Sequence, residues 1–94
     1  MRLATVNPPP FTAKTRVEQE LCAKVEALSG ETVLHVWTPD TYPFEDARGE
    51  KVKLEADYAV RTGQLLNGLF VGGSLYMGYV RDGQVEVELE GVLR

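Results

Sequence analysis

Cysteine is almost missing from this chain: Cys22 is the only one among 94 residues, which excludes an internal disulfide and any cysteine-built metal knot. Histidine is as scarce, so a mechanism needing an acid–base imidazole must use His35. Serine and asparagine occur twice each; no nucleophile motif surrounds either serine, and the shortage fits a thermophilic or GC-rich source. No segment approaches the roughly 20 apolar residues of a membrane span. The first thirty residues lack a basic start followed by an apolar stretch, so the expectation is a cytoplasmic protein without a membrane partner. Positive charge is never concentrated: the densest group is the pair Lys51 and Lys53. Without a basic face to displace counterions, nucleic acid is not an expected partner.

What is present is ordinary globular material, 44% hydrophobic and 26% charged with a net charge of −4, in a length that suits one compact domain over residues 1–94. The negative charge sits mainly in residues 31–49, which carry four acidic groups and one basic. Charge mimicry of a nucleic acid is conceivable for an acidic protein, but −4 is modest for that role.

In chain order, residues 1–6 alternate enough for a short strand, and Pro8-Pro9-Pro10 stop it by removing backbone donors. Thr15-Arg16-Val17-Glu18 has capping-box spacing and predicts a helix start. Val17, Leu21, Val25 and Leu28 form its apolar stripe, and Ser29-Gly30 ends it with a left-handed glycine. Cys22 lies beside that stripe with Glu18 and Glu26 at helical spacing; their charges raise a thiol pKa, so the cysteine reads as structural rather than reactive.

Residues 32–38, TVLHVWT, are β-branched or apolar almost throughout, the pattern of a central strand covered on both faces. The long segment from Pro39 to Gly49 follows. With Trp37, its Tyr42 and Phe44 put three aromatics in eight residues, and Asp40, Glu45 and Asp46 add carboxylates. Such a mixture suits a binding surface, or a lid folded back on the core. Residues 50–61 alternate cleanly, with Val52, Leu54, Ala56, Tyr58 and Val60 on one face, and predict an antiparallel strand. Asn67-Gly68 then punctuates a connection expected to hold one helical turn with Leu65 and Leu66.

The last segment, 75–90, reads as a β-hairpin around Arg81-Asp82-Gly83. A three-residue loop places Tyr79 opposite Val85, Met77 opposite Val87 and Leu75 opposite Leu89; a two-residue loop sets Tyr79 and Met77 against glutamates. The first register is therefore expected. Gly78, on the face carrying Tyr76 and Val80, leaves a shallow groove that a partner could fill.

The elements add up to an α+β domain: one amphipathic helix on a curved, mostly antiparallel four- to five-stranded sheet in β-α-β-β-β-β order. One helix cannot cover so much apolar sheet, so a homodimer with the C-terminal hairpin at a two-fold interface is expected. Two functional classes follow. One is a non-enzymatic interaction or assembly module that self-associates through its sheet and offers Trp37, Tyr42, Phe44 and Tyr76 to an unidentified protein partner. The other is a small-molecule binder or enzyme with a pocket at residues 37–48, His35 as base and Asp40 or Glu45 as orienting carboxylate. No cofactor or metal is implied, since the loop carboxylates lack the spacing of a calcium loop.

Overall fold

The computed structural model describes residues 11–92, and the strand expected over residues 1–6 and the proline run lie outside them. One helix, α1 (Arg16–Ser29), precedes five strands: β1 (Thr32–Trp37), β2 (Tyr58–Leu66), β3 (Leu69–Val71), β4 (Ser74–Arg81) and β5 (Gln84–Val92). All pairings are antiparallel. The sheet order is β1-β2-β4-β5, with β3 on the far part of β2, so this is an α+β domain with one helix on an open five-stranded sheet.

The helix starts where the capping spacing places it. Thr15 Oγ1 accepts from the Glu18 N–H at 3.1 Å, and Glu18 Oε1 reaches back one residue further than a strict box, to the Lys14 N–H at 2.9 Å. Gly30 ends it with φ 69°. Leu21 and Val25 are fully buried against Val33, Val60, Tyr76 and Val85. Leu28 departs from the stripe and stays 64% exposed.

Among the described residues β1 is an edge strand, not a central one. Its apolar run is covered from two sides because a bulge between Val33 and His35 shifts the register. Val33 and Val36 pack on the helix side, while Trp37 packs with Tyr42, Leu54 and Ala59 on the other.

The strand expected at 50–61 begins only at Tyr58 and continues to Leu66. Residues 38–57 instead fold across the sheet face away from the helix, placing Tyr42 and Leu54 over Ala59. Part of the cover assigned to a second copy thus comes from the chain itself. Asp57 closes this segment: its N–H donates to the Gly78 carbonyl at 3.0 Å and its Oδ2 accepts from the Val80 N–H at 2.7 Å, prolonging the β2–β4 ladder.

Two further expectations are corrected. The turn at Asn67-Gly68 closes a β2–β3 hairpin, with φ 52° and 82° at its two central residues, and no helical turn forms around Leu65. Asp82-Gly83 makes the same kind of two-residue turn (φ 52° and 75°), which sets Tyr79 opposite Glu86 and Met77 opposite Glu88. Such turns match the right-handed twist of the flanking strands. They bury no carboxylate here, because Tyr76 and Val85 are the residues under the helix and the glutamates point to the other, wetter face. The space at Gly78 is filled by Leu21, whose Cδ1 lies 2.6 Å from where a Cβ would stand.

Candidate functional site

Two surfaces stand out. The first is aromatic. The indole of Trp37 stacks on the His35 ring at 4.6 Å and 22°, and meets Phe44 and Tyr42 edge-on at 5.4 and 6.1 Å. Tyr42 and Phe44 are 5.0 Å apart. The loop is shaped for this contact by its own turns. Thr41 Oγ1 accepts from the Thr38 N–H, Asp46 Oδ1 accepts from the N–H groups of Arg48 and Glu50, and the Val52 N–H donates to the Phe44 carbonyl. Residues 44–52 therefore form a small hairpin, with Asp46 serving its bend.

In this cluster Tyr42 is buried and Phe44 is partly exposed, and the rings pack edge-on against one another. Beside Tyr42 lies a depression of about 210 Å³ lined by Leu54, Met77, Tyr79 and Glu90, small against the several hundred Å³ of most ligand sites. Burial pushes the Tyr42 phenol up from its ordinary pKa, and the Glu90 carboxylate adds to the shift. His35 is exposed, as are Asp40 and Glu45. Among the described residues the one ion pair joins Arg81 and Glu86 at 3.4 Å, so neither carboxylate lies within pairing distance of the imidazole. Tyr76 is in the core under the helix, 6% exposed. No group of three or more His, Cys, Asp or Glu side chains among the described residues could hold a metal ion.

Cys22 is half-buried on α1, and its thiol is pushed up to about 11 by burial first and then by Glu26 and Glu18. That keeps it protonated and unreactive near neutrality.

The second surface is the β2–β3 hairpin. β1 begins opposite Gly63 and β5 ends opposite Ser74, so residues 64–71 project past the body of the sheet as a two-stranded arm about 10 Å long. Leu65, Leu66, Leu69, Phe70 and Val71 on this arm are between 42% and 69% exposed. The radius of gyration, 14.3 Å, exceeds the about 12 Å of a compact chain this long.

The base of the arm is rigidly built. Thr62, fully buried, donates its hydroxyl to Glu31 Oε1 at 2.7 Å and accepts from the Ser74 N–H at 3.0 Å. Gly72 and Gly73, with φ 64° and 113°, form a bulge that joins β3 to β4. The sequence holds a signal for this arm that secondary-structure punctuation conceals. From Thr62 to Val80 there is no charged residue, and natural edge hairpins are usually guarded by lysine or other charges.

Comparison with protein-family models, with curated proteins and with solved structures returned no match.

Proposed function

We propose that this chain is a non-enzymatic interaction or assembly module that self-associates through its sheet by way of the exposed β2–β3 arm. The observation that carries the reading is the arm's five apolar side chains, each at least 42% exposed on a charge-free ribbon. Fully burying a leucine, valine or phenylalanine gains about 1.5–3 kcal/mol, so the arm leaves on the order of 4–8 kcal/mol unrealised in a single copy. Contiguous apolar surface of that extent marks an interaction site. A chain that acts in the cytoplasm meets water everywhere else, and covering the arm in a homodimer relieves the exposure without another component. The aromatic patch around Trp37 and Phe44 is left as the surface for a further protein partner.

Sedimentation equilibrium of the full chain at micromolar to high micromolar concentration tests the reading. The expected result is a dimer that the pair Leu65→Glu and Leu69→Glu converts to monomer with an unchanged circular dichroism spectrum. A strictly monomeric wild type overturns it.

A further inference from the structure

A second apolar surface is formed by the helix and the last strand. The last turn of α1 does not close over β5, and between them Ala27, Leu28, Val85 and Val87 line a groove of about 430 Å³, with Lys24 and Glu86 at its rims. Leu28 hangs over this groove, 64% exposed.

The arm of the same chain cannot fill it. Val92, at the end of β5, pairs with Ser74 at the root of the arm, whereas Val85 lies seven residues away, a distance of about 23 Å along a strand. The arm points onward from that root, away from Val85, and on the helix side its Leu65 and Leu66 reach only as far as a shallow pocket with Gly30, past the end of α1.

We propose that the arm of one copy seats its tip leucines, Leu66 and Leu69, in the α1–β5 groove of a second copy, and that the exchange is reciprocal. This rests on the self-association reading above and names its acceptor. Three observations support the match. Leu66 and Leu69 are a directly opposed pair on one face of the ribbon, so they enter together. The groove walls formed by Ala27, Leu28, Val85 and Val87 are aliphatic, its charged residues Lys24 and Glu86 stand at the rims, and the tip is uncharged, so the contact places no arm charge in an apolar setting. The five arm side chains leave roughly 500 Å² of apolar surface exposed. If half of each arm is covered along with an equal area of each groove, the dimer buries about 1,000 Å², the lower bound for a specific interface. Reciprocity closes the contact as a two-fold dimer, whereas one-way insertion would build a filament.

Sedimentation velocity on Leu69→Glu and Leu28→Lys, both at exposed positions and checked for folding by circular dichroism, tests the assignment. Each variant alone is expected to weaken the dimer at least tenfold. An equimolar mixture is expected to dimerise again, because one contact is then wild type and the other sets Glu against Lys. If Leu69→Glu dissociates the protein and Leu28→Lys does not, the groove is not the acceptor while self-association through the arm stands. If the wild type is monomeric, both readings fall. Growth of open polymers with concentration overturns the reciprocal exchange.

Discussion

The Thr62 hydroxyl donates to Glu31 Oε1 at 2.7 Å in a fully buried position, and the same oxygen takes the Ser74 N–H at 3.0 Å. Glu31 immediately precedes β1, Thr62 belongs to β2 and Ser74 opens β4, so one side chain ties three strands together where the arm leaves the sheet. Thr62→Val keeps the shape and removes the hydroxyl, stranding a buried N–H and a carboxylate oxygen. The expected loss is about 1–3 kcal/mol in urea unfolding, with most of it absent in Thr62→Ser. Equal stability of the valine and serine variants would show that the tie does not hold the arm.

Next to this tie, Gly73 is the position least able to accept a side chain. Its φ is 113°, and a Cβ there would overlap the carbonyl oxygen of Thr62. Gly73→Ala should therefore cost at least about 2 kcal/mol, through backbone strain and steric overlap together. Gly91 is the control, since a Cβ there meets nothing within 4 Å, and Gly91→Ala should change stability by less than about 0.5 kcal/mol. Thermal unfolding of the two variants separates a general cost of losing glycine from the specific need for it at the bulge.

The helix was legible because its signals are local: Thr15, Glu18, Leu21, Val25 and Gly30 each act within one or two turns. The hairpin register was not, because it depends on which face of β4 lies under α1. Opposing Tyr79 to Glu86 looks costly only if that face is the core; with Tyr76 inside, the glutamates stay wet, and the Asp82-Gly83 turn preference prevails. The bulge after Val33 has no sequence mark of its own, yet it puts His35 and Trp37 on the face crossed by residues 38–57. Three aromatics within eight residues announced a cluster, but whether rings fill a space or line one is a matter of tertiary packing. The charge-free run from Thr62 to Val80 was visible, and its meaning depended on learning that β1 and β5 stop short of residues 64–71.

Cys22 offers a chemical probe of the α1 core. Its thiol, raised to about 11 by burial and by Glu26 and Glu18, compares with an ordinary value of 9.0. At pH 8 the folded protein should then hold about 100-fold less thiolate than the unfolded chain and react correspondingly more slowly with iodoacetamide. Because the folded pKa lies above the unfolded one, this group's contribution to stability is intact below pH 9 and is lost as pH rises towards 11. Alkylation rates in buffer and in urea, followed by mass spectrometry from pH 7 to pH 10, check both statements. A fast reaction in the folded state would place Cys22 in a more open or more basic setting than the one between Glu18 and Glu26.

The loop over residues 38–57 is the cover for the sheet face that α1 cannot reach, and Tyr42 holds it there. Tyr42 is 7% exposed and packs edge-on against both Trp37 and Phe44, whereas Phe44 is 41% exposed. Truncating the buried ring should cost about 3 kcal/mol, by lost contacts and the cavity left over Ala59. Truncating the outer ring should cost less than half as much, because much of its surface is already in water. Trp37 is the sole tryptophan, so its emission reports the change directly: Tyr42→Ala should shift it to the red as the loop lifts, and Phe44→Ala should shift it less. Equal shifts and equal losses would mean that the loop is held from its outer edge, through the Phe44–Val52 hydrogen bond and the small hairpin around Asp46, and not by the ring set beneath it.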